Sequence, residues 1–419
     1  LGVRALGPYA GLFAVPGAKV YFGSQLVSQV GAAVFELGAV WFTLRLTQSP
    51  VITAVVAASA ILPALVSPFA GLLSDVASPK RVLLAIDVIR ALMALGLGAY
   101  VFVAGFPPAA VVVGFSLVLG LLTRVYLPAK FAWLGAEVPD EFLAHANALG
   151  SIISNLRLPF GGLVAAVVLA QDDPALIFLF SGVAYLASWA LLLGLPSSSA
   201  GSAAGGGRGR GNVLGQAGAV LLDERLSVSL AFVAASNLVL VGAWIIGSPL
   251  LADRIAPESG LYAFMQAACG VGIVGGSLLV AGLSARPGAM RRVISGGYVV
   301  RAVAFVGLLL AGTRMEATLG ALVLGVATPA LTVTFPTVLQ RLSRVIGSAG
   351  TIFGLYGLAN AGAVSVSIMV YGLVAAVLAP PPMFVIPVAG SLLAAVVVQR
   401  SGRLGFLSSN GEPDTARSV

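Results

Sequence analysis

Glu36, in the run "VGAAVFELGAVWF", is the only acid far from both ends of an apolar segment. An ionised carboxylate at the centre of a bilayer costs at least about 2.5–3.5 kcal/mol, so a group held there must be neutral, paired or facing water. The chemistry open to it is proton exchange, contact with a charged substrate, or an ion pair. Four bases also fall inside apolar segments: Arg90, Arg124, Arg157 and Arg301. A helical rise of about 1.5 Å per residue puts Glu36 about 26 Å along its segment from Lys19, and Arg157 about 20 Å from the polar Asp140-Glu141-His145 cluster. The two are near enough in height to meet. Glu36 is then either a coupling group tuned by desolvation or a structural counter-ion to Arg157. A switch would combine these, with Arg157 meeting an anionic substrate in one state and Glu36 in the other. Arg124 lies about 26 Å down its own segment, near the inner mouth, where it suits inner-side acids.

A second concentration of charge is "GLLSDVASPKRVLLAIDVIR", residues 71–90. Asp75 and Asp87 can pair with Arg81, Arg90 or neighbouring helix ends, and pairs worth about 0–1 kcal/mol each suit a conformational gate. Gly71, Asp75, Lys80, Arg81, Asp87, Arg90 and Arg124 are accordingly the expected cytoplasmic gate, with Lys80 and Arg81 also anchoring topology. Gln25, Ser28 and Gln29 share one helical face, to which Asn155, Asn237, Gln266, Tyr356 and Asn360 add polar cavity candidates. Each of these also serves as an ordinary helix–helix hydrogen bond. Phe35, Trp41, Trp244, Phe264 and Phe335 are candidates for a greasy cavity wall, or for lipid-facing and core positions.

Other chemistries lack their residues. "GVGIVG" at 270–275 has dinucleotide-loop spacing but lies inside an apolar helix with no preceding strand, so it reads as close helix packing. No P-loop is present, which argues against ATP as the energy source and against any cofactor. Cys269 is the single cysteine and His145 the single histidine, so neither a disulfide within the chain nor a metal site is expected. No catalytic constellation exists, and an enzyme is not expected.

The segments that must position these groups are membrane spans. Only 9% of the 419 residues are charged and 59% are hydrophobic, far from the balance of a soluble domain. Apolar runs of about 20 residues recur, each long enough for a hydrocarbon core of about 30 Å, and their continuity excludes a β-barrel. Twelve spans are expected, near 18–44, 49–73, 81–105, 107–129, 144–170, 174–195, 225–251, 259–284, 291–312, 315–340, 347–379 and 382–400. Residues 1–17 lack a small-residue cleavage site, so no removable signal peptide is expected. With an inside amino terminus, the inner loops and tails hold sixteen bases and the outer loops three: Arg45, Arg254 and Arg314. Both termini are therefore expected in the cytoplasm, and the +8 net charge reports topology rather than nucleic-acid binding.

Gly, Ser and Arg dominate residues 195–216, a composition that cannot bury a core and reads as a flexible linker. The chain divides into a six-helix bundle at 1–195, a linker at 196–222, a second bundle at 223–403 and a tail at 404–419. Sliding one half along the other reveals duplication. At an offset of 211, Gly71-Leu72 meets Gly282-Leu283, Lys80-Arg81-Val82 meets Arg291-Arg292-Val293, and Arg90-Ala91 meets Arg301-Ala302. At 210, "GLVAA" of 162–166 recurs at 372–376. Two parallel six-helix repeats suit a rocking transporter with a central site.

"GLLSDVASPKR" resembles the loop between the second and third helices of the major facilitator superfamily, with Gly71, Asp75, Lys80 and Arg81 in place and Val76 and Ser78 departing from the pattern. A finer likeness, to twelve-span drug, macrolide and siderophore exporters, is carried by 23–50, 62–75, 146–162 and 262–279. Within it, "RLPFGG" is similar to the exporters' fifth-helix Gly-Pro-x-x-Gly-Gly, with Arg157 and Leu158 where small residues are common. The resemblance implies an all-α fold of two pseudo-symmetric six-helix bundles, with the first and fourth helices of each lining the cavity. It implies a secondary active exporter of amphiphilic or lipophilic small molecules, coupled to protons, monomeric, in a bacterial inner membrane. Two alternatives stand beside it: a lysophospholipid or other lipid translocator, and a membrane sensor that keeps the fold without transport.

Overall fold

A computed structural model describes residues 7–66, 78–171, 173–196, 222–257, 260–284, 289–336, 338–339, 349–378 and 381–401. Gly71, Asp75 and nearly all of the expected linker lie outside the described residues. Every element among those described is helical: α1 (Gly7–Ala14), α2 (Ala18–Thr47), α3 (Pro50–Ile61, continued by a 3-10 turn Leu62–Val66), α4 (Pro79–Ala104), α5 (Ala109–Glu137), α6 (Asp140–Leu169) and α7 (Pro174–Leu193). The second set is α8 (Glu224–Ile255), α9 (Leu261–Ser284), α10 (Ala289–Leu310), α11 (Arg314–Ala327), the short α12 (Pro329–Thr332), α13 (Ala349–Val377) and α14 (Val385–Arg400). Eleven described helices are long and apolar enough to cross a bilayer, and Pro50–Ala64 is a shorter apolar helix where the second span was expected. The fold is all-α, two pseudo-symmetric six-helix bundles in the membrane. Helix α1 was not expected; it packs its Gly11 onto the Phe142 ring at the start of α6.

Local chemistry sets the helix ends. Ser49, Asp173 and Asp223 each turn a side-chain oxygen onto a first-turn amide, at Ile52, Ala175 and Leu226, and Pro50 and Pro174 follow the first two of these caps. Thr313 and Glu316 form a reciprocal capping box at the start of α11. Gln48 closes α2 in the left-handed region at φ 51°. At the opposite end the duplicated bases do matched work. Lys80 donates to the carbonyls of Leu193 and Leu195 at the end of α7, and Arg291 donates to those of Val398, Gln399 and Ser401 at the end of α14. Each base meets the negative end of the last helix of its own bundle.

The two bundles meet through α6 against α9, α3 against α13, and α2 against α8. The duplicated "GLVAA" supplies a glycine to two of these crossings. A Cβ on Gly162 would lie 2.7 Å from the Ala267 backbone nitrogen, and one on Gly372 would strike Ala54 and sit 3.2 Å from the Pro50 carbonyl. Only hydrogen permits this backbone approach. In "GVGIVG", Gly270 meets the α6 backbone at Leu158 and Pro159 and Gly272 meets α11, so the run packs helices.

Candidate functional site

A cavity of about 280 Å³ lies between the bundles. Phe35, Leu37 and Val40 of α2, Val56 and Ile61 of α3, and Val241, Trp244 and Ile245 of α8 make it greasy. Leu158 of α6 and Tyr262 of α9 continue the wall. Its polar lining is Glu36, Ser116 and Gln266 with the tips of Trp244 and Tyr262, so Glu36 is the one ionisable acid on the surface a substrate would meet.

Glu36 is ion-paired through Oε2 to Nη2 of Arg157, joining α2 to α6. Both side chains keep some exposure, 44% and 29% respectively, so the pair is wetted rather than sealed in the core. Two residues beyond Arg157, Pro159 lies within α6, where its ring removes one backbone hydrogen bond and loosens the turn that aims the guanidinium. Arg124 of α5 also lies within electrostatic reach of Glu36. The Nε atoms of Arg157 and Arg124 are buried without an acceptor among the described residues. Arg157 thus holds the carboxylate directly, and Arg124 adds positive potential nearby. Gln266 accepts from Trp244 Nε1 at 3.1 Å and donates to Ser248 at 3.4 Å, which fixes the indole edge of the wall.

Asp87 and Arg90, expected in a gate, lie instead inside the first bundle. Asp87 is fully buried and Arg90 is 5% exposed. Arg90 Nη1 sits 3.5 Å from Asp87 Oδ1 and Nη2 donates to Thr123 at 2.8 Å, while Ser188 donates to Asp87 at 2.6 Å. The Arg90 guanidinium lies over the Tyr126 ring at 4.8 Å, and Gln25 donates to the Tyr126 hydroxyl at 2.6 Å. This network ties α2, α4, α5 and α7 together, and among the described residues none of its hydrogen bonds reaches the second bundle. Full desolvation demands fixed partners, and a carboxylate held by both Arg90 and Ser188 is in no position to bridge a moving interface. Lys80 is held by its own bundle, Arg81 is exposed, and Arg124 lies within electrostatic reach of Glu36.

Among the remaining polar candidates, Ser28 is buried and Gln29 half-buried on α2, and Asn237 donates to Asn360 at 2.7 Å between α8 and α13. Tyr356 is half-buried on α13, and Asn155 falls on α6. Of the aromatic candidates, Phe35 and Trp244 line the cavity. Trp41 stacks on Tyr262 at 5.8 Å, Phe335 packs on Phe232 in the second bundle, and Phe264 is exposed on the periphery.

Arg45, expected only as an outer-loop base, is the described ion pair that crosses between bundles. Its Nε lies 4.0 Å from Asp253 Oδ1 and its Nη1 donates to the Pro257 carbonyl at 3.0 Å. The Trp41–Tyr262 stack lies beneath it, with the Arg45 guanidinium 5.9 Å above the Trp41 ring. Arg45 and Asp253 each occupy the last turns of the first membrane-length helix of a bundle, a symmetry of placement that could have flagged them.

The Major Facilitator Superfamily model matches residues 20–368. Among solved structures, an alanine mutant of the nucleoside transporter NupG is similar over 91% of this chain and 98% of its own, with TM-score 0.73 and 15% identity. A bacterial homolog of the human lysosomal transporter Spinster, in an inward-facing and occupied conformation, is similar over 94% of each chain, with TM-score 0.67 and 13% identity. No curated protein matches the sequence significantly. With the family match spanning most of its length, the chain belongs to the major facilitator superfamily, and it is an integral membrane transporter rather than an enzyme.

Proposed function

We propose that this transporter exports amphiphilic or lipophilic small molecules by alternating access, in exchange for protons. The observation that carries the reading is the central cavity, apolar on nearly every side, with one carboxylate held at its wall by a guanidinium. A hydrophobic body gains about 25 cal/mol per Å² on entering such walls. Its cationic or donor group then competes with a proton for Glu36. Mutual exclusion of that kind is what an antiporter requires, and Arg157 holds the carboxylate in the empty state. The contacts of Arg45 with Asp253 and of Trp41 with Tyr262 join the two bundles at one end, the end that alternating access has to open. On this reading both termini are cytoplasmic and the membrane is a bacterial inner membrane.

The test is efflux of a cationic dye from proteoliposomes with and without a pH gradient. Wild type accelerates efflux with the gradient and Glu36→Gln loses that acceleration at least tenfold. Gradient-driven efflux that survives Glu36→Gln removes Glu36 from coupling. A second reading, a lysophospholipid or other lipid translocator, is favoured by the apolar walls of the same cavity, which suit an acyl chain. A labelled lipid in the same vesicles decides between them: movement without a pH gradient supports translocation.

A further inference from the structure

A second cavity, of about 400 Å³, shares no lining residue with the central one. It is a groove between α9, α10, α11 and the short α12, at the end of the molecule that carries Arg291. Gly276, Gly296, Gly297, Ala327 and Ala330 form a floor of small residues. The rim is exposed and apolar at Leu279, Leu283 and Val300, as befits a surface against hydrocarbon. Gly276 and Gly297 pack against Val326 and Ala330, whereas a Cβ on Gly296 would meet nothing within 4 Å. The groove therefore holds open space beside a backbone that needs no side chain there for packing.

Arg292 stands at its mouth. Its neighbour Arg291 commits its donors to three carbonyls at the end of α14. Arg292 is exposed, and no acid among the described residues pairs with it. It is the fourth residue of α10, about 5 Å along the helix from its start, and from the first turn of a spanning helix a long Arg side chain extends toward the headgroup layer. The ordering of charge and apolar surface is that of a lipid: a cation at headgroup level, then a narrow apolar channel running inward.

We infer that this groove binds one anionic phospholipid of the adjacent leaflet, its phosphate on Arg292 and an acyl chain along the Gly296–Ala330 floor. A zwitterionic lipid fits the same channel but brings an ammonium to a site already positive. Preference for the anionic head should be roughly fivefold, the effect of one interfacial Arg.

The full chain in nonionic micelles, incubated with equal amounts of phosphatidylglycerol and phosphatidylcholine, is examined by native mass spectrometry. Wild type retains one phosphatidylglycerol in preference. Arg292→Gln lowers its occupancy about fivefold and removes the preference. Gly296→Leu fills the open space and lowers occupancy by both lipids with an unchanged melting temperature. Arg400→Gln removes an exposed charge from the same end, outside the groove, and leaves occupancy as in wild type. Equal losses in Arg292→Gln and Arg400→Gln would reduce the effect to general attraction and overturn the inference. So would undiminished phosphatidylglycerol on Gly296→Leu.

Discussion

Arg90 and Arg301 are duplicated residues in opposite settings, and replacing each by Met should have unequal consequences. Both are nearly buried, at 5% and 7% exposure, and both reach a threonine, Thr123 at 2.8 Å and Thr328 at 3.4 Å. The difference is the counter-ion. Asp87 pairs with Arg90, whereas the offset of 211 places Tyr298 opposite it in the second bundle, and no described carboxylate pairs with Arg301. Arg90→Met strands a fully buried carboxylate with Ser188 as its remaining hydrogen-bond donor, a loss of about 3–5 kcal/mol. Arg301→Met forfeits one long hydrogen bond, about 0.5–1.5 kcal/mol, and recovers the cost of desolvating a cation with no described carboxylate beside it. Its net effect should lie within about 1 kcal/mol of zero. Reversible unfolding in mixed micelles gives both free energies. A gap of at least about 2 kcal/mol between the two variants is expected, and double replacement Asp87→Leu with Arg90→Met should recover much of the larger loss. Equal destabilisation by the two single replacements would refute the reasoning.

Arg45→Ala removes the described ion pair between bundles and should favour opening at that end; a pair this exposed is worth about 0–1 kcal/mol, so thiol labelling of Tyr262→Cys in a Cys269→Ser background should quicken by up to about fivefold. Gly162→Val and Gly372→Val should each cost about 1–3 kcal/mol and prevent the bundles from meeting as they do here, measured as a fall in melting temperature together with loss of transport. Lys80→Met and Arg291→Met should cost similar amounts, about 1 kcal/mol each, because both cations cap the last helix of their own bundle. A loss confined to one of them would break the equivalence of the two repeats.

Much of this was readable in the chain because a membrane leaves few options. Continuous apolar runs specify helices, and a rise of 1.5 Å per residue was enough to bring Glu36 and Arg157 to one height. The duplication pointed to Lys80 with Arg291 and Gly162 with Gly372, whose contacts repeat in the two bundles. What escaped depended on which way a side chain turns. Asp87 and Arg90 carry no sign in the sequence that Ser188, one polar residue in an apolar run, would hold them inside a bundle. Arg45 looked like a topology marker because a charge at a span end satisfies the bilayer whether or not it also bridges to Asp253.

Double electron–electron resonance distances at the two ends of the molecule test alternating access most directly. One sample carries spin labels on Leu46→Cys and Pro257→Cys across the Arg45 end, another on Arg81→Cys and Arg400→Cys at the opposite end, each in a Cys269→Ser background and at acid and alkaline pH. Rocking about the central cavity predicts opposite changes, with the short distance at the Arg45 end lengthening as that between Arg81 and Arg400 shortens. Distances that stay fixed at both ends, or that grow and shrink together, would contradict it.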